Sequence, residues 1–291
     1  MKADLHIHTN SSDGLFPVPD ILSKARDGKL SVISITDHDN VNAYDFFTHS
    51  EVRQEISMDA SGLYVISGIE ISCDYNGEEI HVLGYFLDPN ADVLRDLEMW
   101  MRKSRKQRLE AMLEKLKNIA MPITENEILA FSKNAPIGRP HIAAALCKKG
   151  YCQTIRDAFD LYLEKGKLIY CEREKPTIEK AINIIHSAGG LAFLAHPGLI
   201  SKESILMSVL KLEFDGLEVW HNSHDQRTSD YFYSFCLNNK KLMSGGSDFH
   251  GLERDARLGA FSINTAFVTK IMERVRETGK CNLIFAKYVD M

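Results

Sequence analysis

Apolar and polar positions along the chain fall into two alternating patterns. Short runs rich in Val, Ile and Leu, typical of strands, occur at 2–9, 31–36, 63–71, 80–86, 190–197, 215–221 and 242–250. Segments with a helical pattern of apolar positions lie between and after them, at 19–26, 42–56, 178–188, 225–237 and 266–277. Strands that alternate with helices predict an α/β fold with a largely parallel sheet or barrel.

This alternation stops at about residue 92 and returns after Pro176. Between these points the chain shows helical patterns at 94–119, 125–132, 141–149 and 155–165, and no good strand. We therefore predict a helical insertion, 92–166, within an α/β domain formed by 1–91 and 167–291. A chain of 291 residues is long enough for one large domain with such an insertion.

Composition narrows the class of protein. The chain is 44% hydrophobic and 26% charged, as soluble globular proteins are, and its net charge of −5 argues against binding of long nucleic-acid tracks. The six cysteines form no Cys-x-x-Cys pair, which disfavours a thiolate zinc site and favours reduced cysteines in the cytoplasm. No apolar run approaches the ~20 residues of a membrane helix, and no signal segment is evident. We expect a cytoplasmic protein with no membrane contact, and no feature implies a protein partner.

Histidines and carboxylates gather at the predicted strand ends. On the first strand Asp4, His6 and His8 alternate with Leu5 and Ile7, so two imidazoles on one face can reach a single cation. The strand-end set comprises His6, His8, Asp37, His38, Glu70, His81, His196, Asp248 and His250. Any one of them alone is more often a structural residue. Because open sheets and barrels place their sites at the carboxyl ends of strands, the whole set indicates a metal site.

The donor types and their number indicate the kind of metal centre. Nitrogen and oxygen donors without sulfur suit zinc, manganese or iron better than copper(I) or an iron–sulfur cluster. The donors outnumber the three or four that one zinc ion takes, so we expect two or three divalent metal ions. Glu70 is a natural bridging carboxylate, because each of its oxygens can bind a different cation.

A series of motifs resembles, in order along the chain, those of the PHP (polymerase and histidinol phosphatase) phosphoesterases. The motifs are His6-Ile-His8, Thr36-Asp-His38, Gly68-Ile-Glu70, His81, Ala195-His-Pro197 and Gly246-Ser-Asp-Phe-His250. Each motif alone is weak, whereas the ordered set is specific. The resemblance implies a distorted seven-stranded β/α barrel with a metal cluster at its C-terminal face.

The resemblance also implies three groups of ligands. One metal would be held by His6, His8, Glu70 and Asp248; a second by Glu70, His81 and His196; and a third by Asp13, His38 and His250. Some relatives carry a histidine at the position of Asp13. Asp37 and His196 are the candidates for a catalytic role, Asp37 by orienting an imidazole. The alternative for Asp37 is a turn or helix-capping role after its strand.

The segment Gly138-Arg-Pro-His-Ile142, within the predicted insertion, resembles one found in a PHP subgroup that acts on nucleotides and RNA ends. Members include a phosphatase that removes the 3′-phosphate of nucleoside 3′,5′-bisphosphates, and 5′→3′ exoribonucleases that act on short RNA. By this match Arg139 and His141 bind substrate phosphate, to which Arg offers a planar fork of donors. In the alternative, Arg139 pairs with a local carboxylate and His141 begins a helix.

Together these features predict a metal-dependent phosphoesterase, a phosphatase or 5′–3′ exonuclease, that acts on a phosphorylated small molecule, a nucleotide or short RNA. A hydroxide bridging two metals would attack phosphorus, since metal binding lowers the pKa of water towards ~7. Three alternatives stay open: a histidinol-phosphate phosphatase, a carbon–nitrogen amidohydrolase and a metal-binding module without catalysis. Arg139 and His141 argue against histidinol phosphate, and the chain lacks an evident strand-end lysine that an amidohydrolase could carboxylate.

Overall fold

The structure is a computed structural model that describes residues 1–47, 62–132, 137–252, 256–278 and 285–288. The chain divides into two compact units, one formed by Met1–Leu97 and Pro176–Met291 and the other by Glu98–Lys175. The first boundary falls inside a long helix, Asp92–Asn118. The predicted insertion, 92–166, overlaps the second unit over most of its length.

Across the described ranges, nine strands form one sheet in the first unit. They are β1 (Lys2–Asp4), β2 (Val32–Ile35), β3 (Leu63–Tyr75), β4 (Glu78–Tyr85), β5 (Leu191–Leu194), β6 (Gly216–Trp220), β7 (Leu242–Gly245), β8 (Ile263–Asn264) and β9 (Phe285–Tyr288). Strands β1, β2 and β3 are parallel, and so are β5, β6 and β7. Strand β4 lies between the two groups and is antiparallel to both β3 and β5.

Strands β1 to β7 nearly close into a barrel. Just beyond β1 the backbone N–H of Leu5 donates to the carbonyl of Gly245 at the end of β7, at 3.1 Å, and Ile7 forms a parallel bridge with Phe249. Strands β8 and β9 add antiparallel partners to β1 and β3. The predicted α/β barrel is confirmed, and the antiparallel β4 is its main departure from a parallel sheet.

The helices are α1 (Val18–Asp27), α2 (Asp92–Asn118), α3 (Glu125–Ser132), α4 (Arg139–Lys148), α5 (Ile155–Ala158), α6 (Ile178–Ser187), α7 (Glu203–Val209), α8 (Gln226–Asn239) and α9 (Thr265–Glu277). Short 3₁₀ helices span Asn42–Phe47 and Pro197–Leu199, and a π turn at Phe159–Leu163 continues α5. The helix predicted over 42–56 is therefore a 3₁₀ helix as far as Phe47, and the rest of that prediction lies outside the described residues. Helix α7 and strands β8 and β9 were not predicted.

Regular apolar spacing explains how the helices cover the barrel. On α1, Val18, Ile21, Leu22 and Ala25 follow three- and four-residue steps, and all four are buried in one cluster with Ile33 and other residues of the sheet. Burying one such aliphatic side chain contributes roughly 1.5–3 kcal/mol. The second unit has an apolar cluster of its own, drawn from α2 to α5 and the segments that follow.

The strand directions bring the polar strand ends to one rim of the barrel. Strands β1, β2, β5, β6 and β7 all end at this rim, and β4, which runs the opposite way, begins near it. Strand β3 is 13 residues long, and Glu70 lies at its middle, where the backbone pairs with His38 beyond β2. No helix within the described part of the chain is long and apolar enough to cross a membrane.

Candidate metal centre

The first strand delivers two histidines to this rim. Regular pairing of β1 ends at Asp4, and His6 and His8 follow it with no exposed surface. Leu5 and Ile7, which alternate with them, are buried in apolar clusters. The apolar side chains thus fix the backbone, and the two imidazoles are left to face the polar interior of the rim.

Glu70 lies at the centre of the site and is 1% exposed. Its two carboxylate oxygens are approached by ring nitrogens of five histidines at 2.9–3.4 Å. Oxygen Oε2 faces His6, His8 and His38. Oxygen Oε1 faces His81 and His196. Each oxygen therefore belongs to a different group of imidazoles, which is the arrangement that a carboxylate shared by two cations requires.

The first group of close donors contains His6, His8, Glu70 and Asp248, whose ligand atoms all lie within 4.8 Å of one another. Asp248 Oδ1 lies 3.3 Å from His6 Nε2 and 3.1 Å from His8 Nε2. The sequence motifs predict these same four residues as the ligands of one ion. The structure brings them together, and their two carboxylates and two imidazoles suit a single divalent cation.

The second group differs slightly from its prediction. Its close donors are His38, Glu70 and His81, with His81 Nδ1 at 2.9 Å from Glu70 Oε1. The predicted third member, His196, lies on the same oxygen, with its Nε2 3.0 Å away and its ring centroid 5.1 Å from that of His81. His38 therefore lies between this group and the next one.

The third group contains the predicted Asp13, His38 and His250 together with His8. Asp13 Oδ1 lies 3.4 Å from His250 Nε2 and 3.6 Å from His8 Nδ1. His8 thus directs one ring nitrogen to the first group and the other to the third. Asp13 is 48% exposed, so this group lies at the open side of the cluster.

Unpaired ring nitrogens indicate how well these residues fit a metal. Within the described residues, five histidine ring nitrogens of the cluster are buried and make no hydrogen bond. They are His6 Nε2, His8 Nδ1, His8 Nε2, His38 Nδ1 and His221 Nε2. Carboxylate oxygens lie 3.1–3.6 Å from these nitrogens without the geometry of a hydrogen bond, and a lone pair given to a cation would satisfy each nitrogen. The cluster, which contains imidazole and carboxylate donors and no thiolate, therefore fits divalent metal ions.

In the metal-free cluster the protons are distributed unevenly. Burial alone would raise the pKa of the Glu70 carboxyl, but His38, His81 and His6 hold it well below its ordinary value. Burial opposes charge on His8 as well, yet Asp248 and Glu70 raise the pKa of that ring to about 10. For His38 burial prevails, and its pKa is lowered to about 4. Without metal, the cluster therefore combines ionised carboxylates with both charged and neutral imidazoles.

The hydrogen bonds of Asp37 hold a turn beside the third group. The Asp37 carboxylate accepts hydrogen bonds from Thr9 N at 2.8 Å, from Thr9 Oγ1 at 2.6 Å and from the hydroxyl of Ser12. These bonds fix the turn that leads to Asp13, which is the turn role that the sequence left open for Asp37 beside the orientation of an imidazole. Asp37 thus acts on the third group through the backbone that carries Asp13.

The segment that follows β7 is held in place by the buried carboxylate of Asp4 and by close contact with the backbone that carries His6. Asp4 accepts hydrogen bonds from Ser247 N at 2.9 Å and from Ser247 Oγ at 2.7 Å, just before Asp248. A Cβ atom at Gly246 would collide with the backbone nitrogen and Cβ of His6. Only glycine therefore lets this segment lie directly against the segment that carries His6.

Glu218 was missed in the sequence, and His221 was not among the predicted site residues. Both are buried, with Glu218 on β6 and His221 just after it, and together with His6 they form a further group of close donors. Glu218 Oε1 lies 2.9 Å from His6 Nδ1, and His221 Nε2 lies 3.3 Å from Asp248 Oδ2. A glutamate within an otherwise apolar strand was the available signal, because such a position needs a buried partner.

Arg139 and His141 lie in the second unit, at the start of α4. Arg139 is the first residue of this helix, and its guanidinium carbon lies 5.8 Å from the ring centre of Tyr170 and 5.9 Å from that of Phe159. His141 Nδ1 accepts a hydrogen bond from the backbone N–H of Gly138 at 3.0 Å. When this ring is neutral, its proton is therefore on Nε2.

A β/α barrel with so many imidazole and carboxylate donors at its strand ends defines a metal-dependent hydrolase. Residues 4–219 match the model of the PHP domain. The chain belongs to the PHP domain family.

Two curated relatives match most of the chain. The 5′-3′ exoribonuclease Rnm of Salmonella typhimurium is 31% identical over 252 residues, which is 85% of this chain and 84% of that protein. The 3′,5′-nucleoside bisphosphate phosphatase of Chromobacterium violaceum is 27% identical over 256 residues, 85% of this chain and 86% of that protein. Hydrolysis of phosphoric esters is the reaction class of the chain.

A solved structure agrees with the barrel described above. It is a protein of Bifidobacterium adolescentis, provisionally named a metal-dependent phosphoesterase, and it superposes with a TM-score of 0.79 at 29% sequence identity. The match covers 94% of this chain and 96% of that protein. The likeness therefore includes nearly the whole of both chains.

Proposed function

We propose that the protein uses two or three divalent metal ions to hydrolyse a phosphate ester of a nucleotide. The substrate would be a nucleoside 3′,5′-bisphosphate or the 5′ end of a short RNA. The observation that carries this proposal is the position of Glu70, whose two oxygens face separate sets of imidazoles. The carboxylate of Asp248 lies against two imidazoles of one set, those of His6 and His8. The names of the two curated relatives support the choice of a nucleotide or RNA substrate.

The distances support the following ligand assignment. The first ion would be held by His6, His8, Glu70 and Asp248, the second by Glu70, His81 and His196, and the third by Asp13, His38 and His250. Manganese, zinc and iron suit these donors. His8 and His38 each lie close to two of the groups, so the ion that each of them binds would depend on which sites are filled.

When bound, the ions would supply Lewis acidity and a water molecule of lowered pKa at the strand ends. The residues of the chain contribute the geometry. Glu70 holds the two sets of imidazoles at a fixed separation, and Asp37 fixes the turn that carries Asp13. His196, the predicted catalytic histidine, lies on Glu70 Oε1 and is assigned here to the second ion.

Arg139 and His141 are the proposed ligands of a substrate phosphate. The two aromatic rings beside Arg139 carry no negative charge, so they do not neutralise its guanidinium. Cation–π contact with these rings would restrict the motion of the guanidinium. The neutral His141 ring would donate from Nε2, because Nδ1 already accepts a bond. Backbone N–H groups at the N-terminus of α4 would add to the attraction for an anion.

The experiment is a substrate panel with purified protein and added Mn²⁺, read as release of inorganic phosphate. The panel contains adenosine 3′,5′-bisphosphate, adenosine 5′-monophosphate, histidinol phosphate, an aryl phosphate and a 5′-phosphorylated short RNA, whose shortening is read on a gel. Preference for the bisphosphate or the RNA supports the proposal, and Asp248→Asn protein serves as the control for a contaminating phosphatase. Preference for histidinol phosphate would contradict the nucleotide substrate. Inactivity on the whole panel, with metal bound, would favour an amidohydrolase or a non-catalytic module.

A further inference from the structure

We propose that Glu218 is the positioning residue of the metal centre, and that it orients two histidines on opposite sides of Glu70. Glu218 lies on β6 and has no exposed surface. Its Oε1 is 2.9 Å from His6 Nδ1, and its Oε2 accepts a hydrogen bond from the backbone N–H of His196 at 2.8 Å. The inference rests on the proposed metal site and does not depend on the substrate.

The bond to His6 determines which ring nitrogen can bind metal. A carboxylate can only accept, so His6 Nδ1 must carry the proton and donate it. The lone pair of the neutral ring is then on Nε2, which lies 3.4 Å from Glu70 Oε2 and 3.3 Å from Asp248 Oδ1. Carboxylates that hold the second nitrogen of a metal-binding histidine fix its tautomer and ring orientation in this way.

The bond to His196 acts through the backbone. His196 has φ 26° and ψ 58°, a conformation that residues other than glycine rarely adopt. The N–H of this residue is held by Glu218, and its ring reaches Glu70 Oε1 at 3.0 Å. One carboxylate thus directs His6 to Oε2 of Glu70 and His196 to Oε1.

Both partners of Glu218 donate a hydrogen bond, so the side chain at position 218 must accept two hydrogen bonds. The variant Glu218→Gln keeps the size of the side chain but offers one acceptor oxygen, and its NH₂ group would face a donor. With the NH₂ group towards His196, the bond to its backbone N–H is lost. With the NH₂ group towards His6, the bond survives only if the ring proton moves to Nε2, which removes the lone pair that would bind metal. Removing a partner of this kind lowers metal affinity about 10–100-fold.

A matched control lies at the start of the same strand. Asp215 also binds one histidine ring and one backbone N–H, with its Oδ2 2.7 Å from His186 Nε2 and 2.8 Å from Ala192 N. Asp215 precedes β6, whereas the metal centre lies at the end where the strand finishes. The Asp215 side chain is half-buried, so Asp215→Asn should lower folding stability through the loss of these bonds, with metal affinity unchanged.

The test uses full-length protein stripped with a chelator and then titrated with Mn²⁺ in a calorimeter, with a thermal melt of each metal-free variant. We expect affinity for Mn²⁺ to fall about 10–100-fold in Glu218→Gln and to stay at the wild-type value in Asp215→Asn. Wild-type affinity in Glu218→Gln would overturn the inference, and so would an equal loss in both variants. If Glu218→Gln does not fold, Glu218→Asp, whose shorter carboxylate cannot reach both donors, must show the loss. Wild-type protein that takes up no Mn²⁺ would overturn the proposed function as well.

Discussion

Competition between protons and metal ions offers a quantitative test of the cluster. In the metal-free protein burial disfavours the charged form of His8 and His81, but neighbouring carboxylates outweigh it and raise the pKa of each ring to about 10. The carboxylates are Asp248 and Glu70 for His8, and Glu70 and Glu79 for His81. An imidazole ligates a cation only through a nitrogen that has lost its proton. Metal binding below about pH 10 must therefore release protons, and metal affinity must rise with pH.

The magnitude follows from the raised pKa values. At pH 7 a ring with a pKa of about 10 is protonated about 1,000-fold more often than it is neutral, a cost of ~4 kcal/mol to any ion that displaces the proton. One released proton changes the apparent binding constant about tenfold per pH unit. His8 is a proposed ligand of the first ion and His81 of the second, so the loss of a proton from each ring raises the affinity for each of these two ions about tenfold per unit between about pH 6 and 8.

Calorimetry in two buffers with different ionisation enthalpies counts the protons released when the protein is saturated with Mn²⁺. His81→Gln should lower that count by one. His186→Gln is the control, because the ring of His186 pairs with Asp215 away from the cluster and should leave the count unchanged. Metal affinity that is independent of pH, or binding without proton release, would refute this reasoning.

Three substitutions test other parts of the argument. Asp248→Asn removes a carboxylate of the first group and should lower metal content and phosphate release by roughly 100-fold or more, measured by elemental analysis and by turnover. Gly246→Ala places a methyl group against His6, so we expect a loss of about 1–3 kcal/mol in unfolding free energy, measured by denaturant titration, and weaker metal binding. Arg139→Ala should keep the metal content of the wild type and raise KM about 10–100-fold, the value of a charge-assisted hydrogen bond, measured by steady-state kinetics. Unchanged metal content in the first, unchanged stability in the second or unchanged KM in the third would count against the respective assignment.

Much of the cluster could be predicted because many of its donors lie directly after a predicted strand. His6 and His8 follow β1, His38 follows β2, and Asp248 follows β7, so each can be found from one strand and its end. The ordered motifs then supplied the grouping that the strands alone do not. The same reasoning located the barrel, because its strands are short apolar runs separated by helices.

Glu218 could not be found by that rule. Its partners are 212 and 22 positions away along the chain, and no period in the sequence records such a pairing. Helix α7, with seven residues, and β8, with two, are too short to produce a clear period. The same holds for the turn partners of Asp37, Thr9 and Ser12, which are identified only by the fold.

In the metal-free protein, protons on the histidines balance the negative charges of the carboxylates, which metal ions would otherwise balance. The pKa values of these groups therefore influence the pH at which the metal-free fold is most stable. The pKa of the Glu70 carboxyl is held below its ordinary 4.5, so its contribution is complete above 4.5 and is lost as the pH falls through the lower folded value. The pKa of His8 is raised above 6.5, so its contribution is complete below 6.5 and is lost as the pH rises towards about 10. Both contributions are complete between pH 4.5 and 6.5. His38 acts in the opposite direction, because burial lowers its pKa to about 4 and the fold loses stability as the pH falls from 6.5 towards that value. Thermal melts of chelated protein should therefore peak at the upper end of this window, and added Mn²⁺ should move the maximum to higher pH. A metal-free maximum above pH 8 would show that protons on the histidines do not hold the empty cluster together.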